Sequence, residues 1–184
     1  LVLIRLANIF GSPNLVALQD VCHAPREVTG IHTCGFYPVA DFHHQSKVII
    51  LWGSNITATN EEGEICSLAL DQLKTGTELI VVDPKNTDLA KKAKCWLQLR
   101  PGTDTALALG MLHVIVNEEL YDQEFVAKYV YGWEPFVKRV NEYPVEKVAE
   151  ITWVPQEKIR KAARLFATTK PAAIQWGVAI EQQI

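Results

Sequence analysis

The chain has 184 residues, 48% hydrophobic and 21% charged, a balance that suits one folded domain with a substantial core and excludes a disordered or low-complexity chain. Its 18 Lys and Arg against 21 Asp and Glu give a formal charge of -3, and no dense basic run interrupts that mild acidity, so nucleic acid is not expected as a partner.

The opening LVLIRLANIFGSPN carries Arg5 and Asn8 inside its apolar start, which fits neither a secretory core nor a membrane span, and no direct membrane insertion is expected. It reads as an amphipathic helix stopped by Gly11 and Pro13. With no initiator Met and Met111 as the only methionine, the chain is expected to be a segment of a longer protein.

Next comes DVCHAPREVTG, where Pro25 suits the first turn of a helix and Cys22 falls just before its amino end, with Arg26 near. The helix dipole and a cation both favour thiolate over thiol, as a metal ligand or nucleophile requires. A small buried thiol used for packing is the competing reading, and spacing leaves both open. The four cysteines, at 22, 34, 66 and 95, form no C-x-x-C pair and no zinc-ligand rhythm.

The run Val48 to Trp52 is continuously apolar, as in a strand covered on both faces, and ends at Gly53. Ile65, Leu68, Ala69 and Leu73 follow at helical spacing. Leu79 to Val82 is a second such strand, closed by Asp83 and Pro84, and CWLQL a third. Helices are predicted from Thr103 toward Glu118 and over 122–130, 133–142 and 155–168, and AAIQWG reads as a fourth strand. Strands alternating with helices imply a three-layer α/β fold, a mostly parallel, Rossmann-like sheet with helices on both faces.

In such sheets ligands sit beyond the carboxyl ends of the strands, which directs attention to the loops G-S-N, D-P-K-N-T, R-P-G-T-D and G-V-A. Glycines there admit a phosphate, and hydroxyl and amide side chains bond its oxygens. No G-x-G-x-x-G follows the first strand, so a nicotinamide cofactor is not indicated. Asp104 in a first helical turn is explained by the dipole alone, or by a carboxylate accepting from a guanine edge; Asp83 is a turn former or a ribose acceptor.

The ordered series ANIFGSPN, VCHAP, ILWGSN, LIVVDPKNT, WLQLRPGTDTALALGMLHVIVNEELYDQEFV and VAEITWVPQEKIRKAARLFATTKPAAIQWG closely resembles the molybdopterin-dependent oxidoreductases of the dimethyl sulfoxide reductase family. The resemblance covers nearly all of the chain, and it implies one α/β domain over 1–184 within a larger catalytic subunit, with 1–45 carrying a metal-ligand loop and flanking helices. The implied cofactor is bis(molybdopterin guanine dinucleotide) around molybdenum or tungsten, with an iron-sulfur cluster in an amino-terminal segment outside this chain.

Residue by residue, Cys22, His23 and Pro25 match the ligand stretch of the formate dehydrogenase branch. Cys22 is then the metal's thiolate ligand, and His23 the group that takes a proton during substrate oxidation. Gly53 and Asn55 match a cofactor-phosphate loop. Asp83 and Thr87 match D-P-R-x-T, with Lys85 replacing Arg and losing its bidentate fork. Gly102, Thr103 and Asp104 match the guanine-facing G-T-D, and with this match the ligand readings of Asp83 and Asp104 prevail.

The resemblance implies two-electron redox of a small substrate, formate dehydrogenase-like or thiosulfate or polysulfide reductase-like. Two alternatives are a non-redox hydratase of the acetylene hydratase kind, against which His23 speaks, and a structural remnant without pterin, as in a respiratory-complex subunit. Expected partners are the small-molecule substrate, the remaining domains of the same subunit and electron-transfer subunits. The segment alone is expected to be inactive and to hold no cofactor. A cytoplasmic setting is the default, with a periplasmic one left open.

Overall fold

The computed structural model describes residues 2–14, 22, 24–59 and 63–182. These fall into two compact units, one from the amino-terminal stretch up to Pro38 together with Glu181 and Gln182, the other from Val39 to Ile180.

The larger unit is built on four parallel strands, β1 (Val48–Trp52), β2 (Glu78–Val82), β3 (Cys95–Leu97) and β4 (Ala172–Trp176), in the order β3-β2-β1-β4. In register, Val48 stands opposite Glu78 on one side and Ala172 on the other. All five residues of β1 are buried, as expected of a central strand roofed on both faces. Alternation then divides the core. Val48, Ile50 and Trp52 point into a layer shared with Leu107, Val148 and Ile159. Ile49 and Leu51 point into the opposite layer, with Phe42, Cys66, Ala69 and Leu89.

Those layers are helical. α3 (Glu64–Lys74) and α4 (Asp88–Lys92) supply the second, while α5 (Asp104–Asn117), α8 (Val145–Thr152) and α9 (Gln156–Thr168) supply the first. Between α5 and α8 lie α6 (Gln123–Tyr129) and α7 (Trp133–Asn141), and α10 (Val178–Glu181) follows β4. The expected three-layer α/β fold is present, with a sheet that is parallel throughout.

Besides α10, four residues long and starting inside what reads as the G-V-A loop, two helices of this unit escape the periodicity reading. α4 is only five residues long, hidden inside what reads as a ligand loop. α8 buries Val145, Val148 and Thr152, a helical stripe too short to stand out between two longer helices.

In the smaller unit, α1 spans Val2–Phe10 and α2 spans Ala24–Cys34. α1 buries none of its residues, and α2 buries only Arg26 and Gly30. The Arg26 guanidinium donates through Nε to the Glu181 carboxylate, and through a second nitrogen to the Tyr37 hydroxyl at 3.2 Å. Cys34, Cys66 and Cys95 match no ligand stretch and read from the sequence as packing thiols, and for Cys34 the structure corrects that: it ends α2 and is exposed, on a helix that buries only Arg26 and Gly30. Cys66 and Cys95 are buried as expected. Among the described residues, no helix is long and apolar enough to cross a membrane.

Candidate functional site at the carboxyl edge of the sheet

The backbone brings the loop origins together. Past the ends of the strands the ladder continues for one more rung. Gly53 N–H donates to Val82 O (2.8 Å), Asp83 N–H to Leu97 O (3.2 Å) and Gly177 N–H to Trp52 O (3.0 Å). Gly53, Asp83 and Gly177 therefore start their loops along one edge. Between β1 and β4 the strand order reverses, which is where an open parallel sheet leaves a crevice. Gly177 sits at that crevice, and a Cβ there would lie 2.1 Å from the Gly53 carbonyl oxygen, so only glycine lets the two loops meet.

The loop after β3 joins the same edge through side chains. Gln98 donates to Pro84 O (3.0 Å) and the Trp96 indole to Asp83 O (2.9 Å), fastening it to the D-P-K-N-T loop. Arg100 N–H donates to Thr152 O at 2.8 Å, and the Arg100 guanidinium lies 5.4 Å from the Trp153 ring centroid. The R-P-G-T-D and E-I-T-W-V-P blocks, some fifty residues apart in the chain, are thus one contact in the fold.

The sequence-predicted residues divide into two kinds. Local structure already occupies several of them. The Asp83 carboxylate accepts from Lys85 N–H at 2.7 Å, an Asx turn, with the Lys85 side chain exposed. Thr87 is buried and caps α4, its hydroxyl accepting from Ala90 N–H at 3.1 Å. Asn55 accepts from the Thr57 hydroxyl at 2.9 Å. The Thr103 hydroxyl donates to Arg100 O at 2.6 Å, closing the turn that carries Gly102. Gly102 itself has φ +79°, and nothing lies within 4 Å of where its Cβ would be, so the chain bends there with an open side.

Asp104 is the other kind. It opens α5, is 8% exposed, and accepts from the Trp52 indole N–H at 2.7 Å. It lines a cavity of about 320 Å³ together with Trp52, Thr105, Ala108, Ile174 and Trp176, with Ile180 closing one side. Apart from Asp104 and Thr105 these walls are apolar or aromatic: two indoles, a carboxylate and the α5 amino end suit a flat heterocycle whose polar edge meets an acceptor. Trp52 and Trp176 are cavity-lining residues that sequence reasoning passed over as strand ends; their signal was position, since each falls at the carboxyl terminus of a strand flanking the order reversal.

The loop expected to carry the metal ligand belongs to the smaller unit. Cys22 is half-buried two residues before α2, the helix-entry setting expected of it, while His23 lies outside the described residues. The Arg26 guanidinium, four residues on, is engaged by Glu181 and Tyr37. Among the described residues, no group of three or more His, Cys, Asp and Glu is placed to hold a metal ion.

A parallel sheet flanked by helices, with glycine loops and an aromatic cavity at its order reversal, defines an α/β protein of the Rossmann-like kind. The chain belongs to the molybdopterin oxidoreductase family, whose model matches residues 1–183. It is 44% identical over 181 residues to the acetylene hydratase of Syntrophotalea acetylenica, covering 97% of this chain and 24% of that protein. To formate dehydrogenase H of Escherichia coli strain K12 it is 32% identical over 178 residues, 95% of this chain and 24% of the relative. The solved structure of acetylene hydratase from Pelobacter acetylenicus superimposes with a TM-score of 0.87 at 42% identity, covering 99% of this chain and 25% of that one. The chain therefore spans about a quarter of the length of the relatives it matches. The family's cofactor is a molybdopterin, and the donor set at the sheet edge fits a nucleotide-bearing form of it: a base-sized cavity with a carboxylate, beside glycine loops that leave room for phosphates.

Proposed function

We propose that this chain is the part of a catalytic subunit that cradles one guanine dinucleotide arm of bis(molybdopterin guanine dinucleotide) and supplies Cys22 as the protein ligand to molybdenum or tungsten. Asp104 carries the reading at the base. Its buried carboxylate lines the cavity at the order reversal, where it accepts from the N1 and N2 hydrogens of guanine. Gly53 and Gly102 let the backbone of their loops approach the phosphates, Lys85 adds a positive charge from the adjoining loop, and Asn55 and Thr103 shape the loops that hold them. Thr87 and Asp83 act mainly by fixing the D-P-K-N-T turn. The thiolate of Cys22 suits a centre already rich in sulfur.

For the reaction, we infer hydration of a small unsaturated substrate such as acetylene. Support comes from the 44% identity to acetylene hydratase over nearly the whole segment, against 32% to formate dehydrogenase H over a similar span. When bound, the metal supplies Lewis acidity in a hydratase and two-electron exchange in a redox enzyme. Redox chemistry is the second reading, favoured by the Cys22-His23-x-Pro25 order, in which His23 takes up the proton of an oxidised substrate. In that case electron-transfer subunits and an iron-sulfur segment accompany it. The full-length protein, given acetylene without an electron acceptor and, separately, formate with one, separates the two. Acetaldehyde formation without acceptor is expected; formate oxidation with no acetylene turnover would install the redox reading instead.

A further inference from the structure

Trp52 ends β1 at the crevice and is 8% exposed, buried by Leu107 and its neighbours in the core layer under α5. Its indole N–H has one recorded acceptor, Asp104 Oδ1 at 2.7 Å, a side-chain bond across 52 residues of sequence inside the base-sized cavity. Both residues stand on rigid elements, a central strand and the first turn of a fourteen-residue helix. A carboxylate alone at a helix start can swing about two torsions. A fixed indole donor removes that freedom.

We propose that Trp52 is a positioning residue: it sets the plane of the Asp104 carboxylate so that the base edge meets a preformed acceptor. The inference rests on the guanine reading of Asp104 given above. An ionised carboxylate offers about four acceptor sites, so accepting from an indole is compatible with accepting from a base. The bond has a second consequence. By fixing the plane of that carboxylate the bond aims acceptors alone at the base, and guanine presents donors at N1 and N2 where a base with acceptors on that edge is repelled. The indole N–H then contributes to base selection through the carboxylate alone, separately from the ring that lines the cavity.

The test uses the full-length protein and reads cofactor retention rather than turnover. Protein is held in sub-denaturing urea, and the guanine nucleotide still bound is released by acid hydrolysis and counted per chain over time. Asp104→Asn should speed loss at least about tenfold, the equivalent of one charge-assisted hydrogen bond. Trp52→Phe, which keeps a ring and removes the donor, should speed loss by about tenfold or somewhat less, as when an outer partner that orients a ligand is removed. The double variant should be no worse than Asp104→Asn alone, because the indole acts only through the carboxylate. Should Trp52→Phe compromise folding, benzothienylalanine placed at position 52 keeps the bicyclic shape without the N–H and should behave as Trp52→Phe is expected to. Additive losses, or unchanged retention with benzothienylalanine, overturn the proposal while leaving the guanine reading standing. Unchanged retention in Asp104→Asn overturns the guanine reading itself, and this inference with it.

Discussion

The two units stabilise their functional residues by different means. In the larger one, every residue of β1 is buried and Trp52, Gly53 and Gly177 are fixed by ladder bonds that continue out of the sheet. In the smaller one, α1 leaves Leu3, Leu6, Ile9 and Phe10 exposed, and the best-buried side chain of α2 is a charged one, Arg26. A core gives position by excluding every alternative packing, whereas an ion pair gives position only where its partner stands, at a desolvation cost of several kcal/mol per ion that the pairing must offset. Positions in the larger unit are thus set by the fold itself, and among the described residues of the smaller unit by a few polar contacts.

The largest effect expected lies at the metal-ligand end. In the full-length protein, Cys22→Ser should lower turnover by more than about 100-fold, beyond the usual cost of losing an outer-shell partner, because serine offers a harder and far less acidic donor. X-ray absorption at the metal edge should count one sulfur neighbour fewer. An unchanged sulfur shell with full activity would return Cys22 to the packing reading and erase the functional side of the contrast.

Stability contrasts come next. Ile80→Ala, in the middle of β2 and fully buried, should cost about 2–5 kcal/mol in chemical denaturation of this chain. Ile9→Ala in α1, where the side chain is 86% exposed, should stay within about 0.5 kcal/mol. A comparable loss at Ile9 would mean that α1 is packed in solution and that the contrast between the units is false. Within the larger unit, Gly177→Ala should cost about 1–3 kcal/mol or more, since its Cβ would collide with the Gly53 carbonyl. Gly102→Ala meets open space and should cost only the strain of a positive φ, about 1–2 kcal/mol.

The same difference decides what could be read from the sequence. Strands β1 and β2 were plain because continuous apolar runs have few other meanings, and α9 because Ile159, Ala162 and Ala163 keep helical spacing. The loops at the carboxyl edge followed from strand order alone. The Trp52 to Asp104 bond did not, since it joins residues whose neighbourhood is created only when α5 crosses the sheet. Asp83 and Thr87 looked alike as ligand residues, and the fold also gives each a local use, a turn and a helix cap, that only the folded loop reveals. Cys34 misled because a cysteine is usually buried; here it ends a helix whose apolar residues, Val28 and Ile31, are themselves exposed.

Thiol chemistry sharpens the contrast at lower cost to the molecule. In the native chain at mildly alkaline pH, Cys34 should be alkylated fastest, being exposed at the end of α2. Cys66 and Cys95 should stay unmodified until the chain unfolds, and Cys95 doubly so, since burial pushes its thiol up against the opposing pull of Lys161 and Lys158. Mass spectrometry of the labelled peptides gives the order directly. Rapid labelling of Cys95 in folded protein would mean that the β3 edge of the sheet opens.

The smallest effect concerns the far end of α5. There Glu118 accepts both of its 2.8 Å bonds from Arg164 of α9, and that guanidinium holds the carboxyl below the usual glutamate range. A carboxylate whose folded value is depressed contributes stability that is present above its unfolded value, and that contribution is lost as pH falls through the folded value. The pair therefore helps at neutral pH and stops helping in the acid range below the ordinary glutamate titration. Because both side chains are well exposed to solvent, screening keeps the effect small and makes it fade with salt. Glu118→Gln should lower the denaturation midpoint slightly at pH 7 in low salt, and the difference from the parent chain should close below about pH 4 and in molar salt. A difference that persists at acid pH would show that Glu118 acts through packing against α9, and that electrostatics plays no part in joining the two helices.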